Sequence, residues 1–379
     1  MKISKSPFKV LLLAAILLIS MGIFILASVS AVFSIEKYGR ASYLLEHQLL
    51  YGLLLGSIGG LIAFFMPLAK IKKLSFLFFV IGIISLAVLV ILPKIGLSAF
   101  AFGSWLSLGG FFIQPSELFK VAFILYLAAW FSREDLAVSK IPKKIGNVSV
   151  LKPMIPFLMV LGLVFVLLKL QDDIGTLSII AVTALSIFFL AGTPIWQNII
   201  IWVSAGGALA LFIKFSEYRL ERWLVFLNPG LDPMDSGYQL KQSLITIGSG
   251  GLLGLGLGLS RQKFGFLPET IGDAIFPVFA EEAGFIGVIA LVMAFLLFIW
   301  QGFLVSRQAK DKFSQLAGTG ICIWIGSQAL INICSMAGIS PLTGVPLPFI
   351  SYGGSHLLAE MIGLGILLNI AKHNQLAKV

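Results

Sequence analysis

The chain has 379 residues, of which 58% are hydrophobic and only 12% charged, with a formal net charge of +10. Its mean hydropathy is +1.02, whereas an average soluble domain is about a quarter charged, so a soluble enzyme is excluded. The Lys and Arg residues sit in short gaps between apolar runs, where they act as topology signals and not as a nucleic-acid patch.

Taking about 20 residues per span, the apolar runs fall at 8–33, 48–68, 74–93, 116–132, 151–169, 174–191, 195–213, 277–305, 315–337 and 354–371. This pattern predicts one all-α polytopic membrane domain over 1–379, with ten transmembrane helices and a large extracytoplasmic loop, 214–273, between spans seven and eight. The first run follows Lys2, Lys5 and Lys9 but exceeds the apolar core of a secretory signal, about 7–15 residues, and is read as a retained span. With the N-terminus inside, the inner side holds Lys2, Lys5, Lys9, Lys70, Lys72, Lys73, Arg133, Lys140, Lys143, Lys144, Lys152, Arg307, Lys310, Lys312, Lys372 and Lys378, or 16 of the 27 basic residues. Only Glu134, Asp135 and Asp311 of the 17 acids share that side. The asymmetry places both termini in the cytoplasm.

Three outer segments carry most of the polar chemistry. The first, Gly103 to Glu117, reads as a loop entering span four with Ser116 as its N-cap. The second, Lys214 to Asp273, alternates turn residues with short amphipathic stretches able to lie on or re-enter the membrane. Its glycine run Gly248–Gly258 satisfies no GxGxxG frame and lacks GK[ST], so close backbone packing or re-entrance is the better reading. The third, Gly338 to Gly354, is uncharged and rich in Pro and Gly; near a bilayer such backbone must be buried in protein or line a cavity. Cys322 and Cys334 share one apolar run, about 18 Å apart along a helix, too far for a disulfide. His47, His356 and His373 show no metal-binding spacing.

Ionisable groups at membrane depth mark function or pair with a partner. Asp273, where the polar loop becomes span eight, fits either a general base with a raised pKa or a helix N-cap. Arg219 and Arg222, one turn apart, with Lys241 and Lys263, suit either a diphosphate or lipid headgroups. Glu117 and Lys120 are spaced for an i,i+3 ion pair, Asp172 and Asp173 for a cap on span six, and Glu281 and Glu282 for pairing with basic groups. His356 and Glu360 fit a proton relay or a packing pair. Most of these lie near the outer face, without direct access to ATP or nucleotide sugars, so an activated, lipid-linked substrate is implied.

The motifs SWLSLGGFFIQPSELFK, QDDIGT, YRLERWLVFLNPGLDPMDSGYQLKQSLITIGSGG, SRQKFGFLPETIGDAIFPVFAEEAGFIG and GISPLTGVPLPFISYGGS, in this order, closely resemble the SEDS family (shape, elongation, division and sporulation; FtsW/RodA-like). The resemblance covers almost the whole chain and leans to the division or sporulation branch. It implies a peptidoglycan glycosyltransferase of the bacterial cytoplasmic membrane, acting at its outer face and at the division septum. The implied substrate is lipid II, the product an undecaprenyl diphosphate-linked glycan, and the partners a class B penicillin-binding transpeptidase, other divisome or elongasome proteins and membrane lipids. By motif matching, Asp273 is the catalytic residue; Arg219, Arg222, Gln242, Lys263, Glu269, Glu117 and Lys120 bind substrate; Asp173, Glu281, Glu282, Ser351 and Tyr352 support the site. Cationic groups, alone or helped by a divalent cation (Mg2+ or Mn2+), are expected to stabilise the leaving diphosphate. The chain departs from the family pattern at Ile271 and Gly272, where His-Thr is common, at Asp172, where Pro is frequent, and at His356, where Ser is usual. A lipid II flippase and a noncatalytic scaffold are the competing readings: a transporter requires polar groups across the bilayer centre, and a scaffold requires neither these nor an exposed Asp273.

Overall fold

The computed structural model describes residues 7–97, 99, 101–108, 111–133, 153–214, 216–228 and 235–376. The inner-side cations Lys2, Lys5, Lys140, Lys143, Lys144, Lys152 and Lys378, the acids Glu134 and Asp135, and part of the FLNPGLDP motif lie outside these residues. The chain begins with α1 (Pro7–Tyr38), followed by α2 (Tyr43–His47), a π-helical stretch (Gln48–Leu54) that runs into α3 (Leu55–Phe65), and α4 (Leu68–Ile91). Met66 is extended ahead of Pro67, which ends α3, because proline disfavours the helical conformation of its predecessor. Next come three short strands, then α5 (Pro115–Phe131), α6 (Met154–Lys169), α7 (Ile174–Leu190), α8 (Ile195–Lys214), α9 (Glu217–Leu227), α10 (Ser236–Ser249), α11 (Ile275–Arg307), α12 (Lys312–Met336) and α13 (Gly354–Leu376).

The protein is a mostly helical, multi-pass membrane protein. A helix occupies each of the ten apolar runs, and among the described residues six segments are long and apolar enough to cross a bilayer: Pro7–Tyr38, Tyr43–Phe65, Leu68–Ile95, Ile275–Arg307, Lys312–Met336 and Gly354–Gln375. α6 and α7 are shorter apolar helices. One element departs from the all-α expectation. Strands β1 (Ala101–Phe102), β2 (Trp105–Leu108) and β3 (Phe111–Ile113) form an antiparallel sheet where a plain loop was expected. Gly103, at φ +54, makes the tight turn between paired Phe102 and Trp105, a position that favours glycine. Ser116 is not the N-cap of α5 either: Pro115 occupies the first turn and Gln114 the cap position, which frees the Ser116 hydroxyl for another partner.

α12 is the central helix, packed against α5, α7, α11 and α13, with Trp324, Ile321, Cys322 and Ile325 fully buried. Cys322 and Cys334 are both free thiols. α3 and α13 approach until a Cβ at Gly365 would lie 2.1 Å from the Gly60 carbonyl oxygen, the small-residue contact through which membrane helices pack closely.

The glycine run after α10 is held by backbone pairing to a break in α11. Leu255 and Gly256 donate to the carbonyls of Glu281 and Glu282 at 2.9 and 3.1 Å, and Phe285 and Ile286 donate back to Gly251 and Leu252 at 2.9 and 3.2 Å. Gly284 makes the break possible at φ 67, ψ −171, a region essentially restricted to glycine. A Cβ there would fall 2.2 Å from the Gly254 amide nitrogen. Gly284→Ala is therefore expected to cost about 1–3 kcal/mol from the backbone alone, measured as a lower thermal midpoint in detergent. Gly162→Ala, with open space around it, serves as the matched control.

Candidate active site

A cavity of about 740 Å³ opens where the beginnings of α5, α7 and α11 meet α9 and the 340–353 segment. Asp273, Glu269, Arg219, Arg222, Glu117, Lys120, Asp172, Asp173, Tyr352 and His356 all line it. The turn-rich segment before α11 presents the two acids. Glu269 adopts φ +53, and its carbonyl accepts from Gly272 and Ala274 at 3.0 and 3.1 Å, folding the chain so that Asp273 and Glu269 share one rim. The cap position of α11 falls on Ala274, so the Asp273 side chain is not spent as an N-cap.

Asp273 precedes the first turn of α11, and its Oδ1 is buried without a hydrogen-bond partner among the described residues. Burial, reinforced by the nearby Glu269 carboxylate, pushes its pKa up to about 6, against the opposing pull of the Arg222 guanidinium. Its carbonyl is fixed by Asn332, whose Nδ2 donates to Asp273 at 2.8 Å and to Val345 at 2.7 Å. Ser351 donates from its hydroxyl to the Gly272 carbonyl at 2.7 Å and accepts from the Leu347 amide at 2.8 Å. The Tyr352 amide donates to Ile271 at 2.9 Å. The 340–353 segment thus clasps the turn that bears the carboxylate. Asn332 was missed in the sequence, although a polar residue on the apolar run 315–337, one turn from Gln328, is a legible signal.

Opposite Asp273, Arg222 donates from Nη1 to the Leu342 carbonyl at 3.0 Å, and Arg219 pairs with Asp172 at 3.3 Å. Asp173 caps α7 by accepting from the Thr176 amide at 3.1 Å. It also accepts from the Ser116 hydroxyl at 2.8 Å and the Gln114 amide at 3.2 Å, which ties α5 to α7 at the cavity wall. The cavity floor is a buried charge cluster. Glu117 and Lys120 pair at 2.8 Å, His356 lies 3.0 Å from Glu117 and from Glu360, and Lys120 donates to Gln328 at 2.9 Å. His356 and Glu360 thus pair as their spacing predicts, with Glu117 as an additional partner.

Four predicted site residues lie elsewhere. Lys263 is buried against Glu282 at 3.0 Å and also donates to the Gly258 carbonyl at 2.8 Å. Glu281 accepts from the Ser260 hydroxyl and from the Ser249 hydroxyl, the latter at 3.2 Å. These three charges anchor the loop between α10 and α11, and Lys263 does not line the cavity. Gln242, on α10, does not line it either, and the neighbouring Lys241 is exposed.

Among the described residues, no three His, Cys, Asp or Glu side chains gather into a metal centre. A hard divalent cation commonly uses one or two carboxylates together with substrate phosphates. Glu269 fits that donor set for an ion carried by a diphosphate, which leaves Asp273 free as the base.

The comparisons with known proteins identify the family. The model of the FtsW/RodA/SpoVE cell cycle protein family matches residues 8–376. The chain is 39% identical to the Coxiella burnetii protein named "Probable peptidoglycan glycosyltransferase FtsW", covering 93% of each, and 33% identical to Stage V sporulation protein E of Bacillus subtilis, covering 98% of each. It also superposes on a chain from a peptidoglycan synthase complex that coordinates polymerization and crosslinking, with TM-score 0.75, 25% identity, and 96% of this chain and 97% of that one covered. Thermus thermophilus RodA shares the fold at TM-score 0.65 and 22% identity, with 96% of each chain covered. The chain belongs to the FtsW/RodA/SpoVE family of cell cycle proteins.

Proposed function

We propose that this chain is a peptidoglycan glycosyltransferase that polymerises lipid II at the outer face of the cytoplasmic membrane, during septal wall synthesis and beside a class B penicillin-binding transpeptidase. In this reading all ten apolar runs span the bilayer, both termini are cytoplasmic, and the 214–273 loop is extracytoplasmic. The observation that carries the proposal is a half-buried carboxylate, Asp273, poised near neutrality and facing two arginines across a cavity.

The chemistry follows from those positions. Asp273 takes the proton of the acceptor 4-hydroxyl as its oxygen attacks the donor anomeric carbon. The bond to the diphosphate breaks on the opposite face, and a single displacement inverts the centre from α to β. Arg219 and Arg222 provide guanidinium forks suited to the diphosphate oxygens as their charge develops. A divalent ion, when held by Glu269 and the diphosphate itself, would supply further neutralisation of that charge. Glu117 and Lys120 polarise the floor, while Asp173, Ser351 and Tyr352 fix the walls. Glu281, Glu282 and Lys263 support the site from outside, by holding the loop that leads to it.

A flippase requires polar groups that continue through the bilayer centre. Below Glu360, α13 buries Leu364, Ile366, Leu367 and Ile370, and its buried Asn369 is taken up by the Ala63 and Met66 carbonyls at 2.8 and 2.7 Å, which favours the enzyme. Purified protein with a class B transpeptidase, given lipid II, is expected to yield glycan strands resolvable on a gel. Translocation of lipid II across vesicles without polymer would overturn the assignment.

A further inference from the structure

At the end of the bundle opposite Asp273, a second cavity of about 510 Å³ opens between α4 and α5. Its place follows from the connectivity: α4 leads through the small sheet, whose Ser104 and Trp105 border the Asp273 cavity, into α5. The start of α4 and the end of α5 therefore share the far side. Lys72 and Lys73 come from α4 and Arg133 from just beyond α5, and Tyr126 and Trp130, one turn apart on α5, form the wall between them.

Snorkelling lysines at a membrane edge ordinarily splay outward into water. Here three exposed cations border one concavity between two helices. None of the three has a carboxylate partner among the described residues. Glu134 and Asp135 follow in the sequence, and neutralisation by both would still leave one positive charge. The outer wall is apolar: Phe76 borders the cavity and is 62% exposed, and Leu77 and Ile81 further along α4 are exposed as well. A cationic pocket with an aromatic rim and a lipid-facing apolar margin matches an amphipathic anion better than a soluble one. Interhelical basic pockets on the cytoplasmic side are sites for anionic headgroups, whose phosphate suits an arginine fork.

We propose that this cavity binds the phosphodiester headgroup of an anionic glycerophospholipid of the cytoplasmic leaflet, with the acyl chains lying along Phe76 and the exposed face of α4. The test is native mass spectrometry of the full chain titrated with phosphatidylglycerol, phosphatidylcholine or inorganic phosphate. Wild type is expected to retain one phosphatidylglycerol molecule that K72Q/K73Q/R133Q binds roughly a hundredfold more weakly, the combined effect of three basic residues near a charged headgroup. Phosphatidylcholine retention is expected to be equal in the two proteins. K72R/K73R, which keeps the charge, and K37Q/K94Q, which removes two cations elsewhere, are expected to bind like wild type, excluding misfolding and net charge as causes. Undiminished phosphatidylglycerol retention by the triple variant would overturn the proposal. So would full displacement of the lipid by millimolar inorganic phosphate, which would make the pocket a free-anion site.

Discussion

Asp273→Asn is expected to reduce lipid II polymerisation by about 10²–10⁴-fold, the range for a lost general base, while the variant still folds and binds its transpeptidase. The amide keeps the shape of the carboxyl but cannot accept the hydroxyl proton. Because the base must be ionised and burial holds its pKa near 6, wild-type activity is expected to fall about tenfold per pH unit below that value, well above the ordinary carboxylate range. Stability runs the other way. A folded-state pKa raised above the unfolded value means the fold prefers the protonated acid; that contribution is complete below the unfolded value of 3.8 and disappears as pH rises through about 6. Asn carries no charge to bury, so the variant should melt at or above the wild-type temperature at neutral pH. Polymer yield equal to wild type, or a low-pH limb unaltered in residual activity, would remove Asp273 from the mechanism.

Lys263→Met is expected to destabilise the protein by about 3–5 kcal/mol, because it strands a buried carboxylate. The Lys263 and Glu282 side chains are only 4% and 2% exposed. Glu282 would retain the Ser28 hydroxyl at 2.7–2.8 Å but lose its only countercharge among the described residues. The double variant K263M/E282M removes both charges and is expected to recover most of the loss, giving a large coupling energy in a double-mutant cycle of thermal midpoints. This cycle separates two roles for the lysine. A substrate-binding lysine would lose activity with its stability intact, whereas an anchor loses stability first and activity with it.

The layout was legible wherever chemistry is local. Apolar runs marked the helices, the i,i+3 spacing of Glu117 and Lys120 marked their ion pair, and the polar stretches before α5, α7 and α11 supplied most of the cavity. The uncharged Pro- and Gly-rich segment marked a cavity wall, and the family resemblance gave Glu269 its place in the site. Positions decided by tertiary contact were not legible. Lys263 and Arg222 are equally basic and both lie in polar motifs, yet one turns inward to Glu282 and the other to the cavity; the difference arises from the break at Gly284, which brings Glu282 beneath the loop. Asn332 and Gln328 escaped notice for a related reason. Their partners are backbone carbonyls and side chains brought near only when α12 is central, and no spacing rule within one helix encodes that.

The fork made by Asn332 has a mechanical consequence. One amide nitrogen holds the peptide before α11 and the peptide at Val345, so the turn that bears the base and the segment that clasps it are pinned together to the central helix. A bulky isoprenoid-linked sugar that presses on either segment must rupture one of the two bonds or move both segments as a unit. In the second case the base keeps its position relative to the 340–353 segment, and the lengthening strand slides past a carboxylate whose placement is set from the central helix.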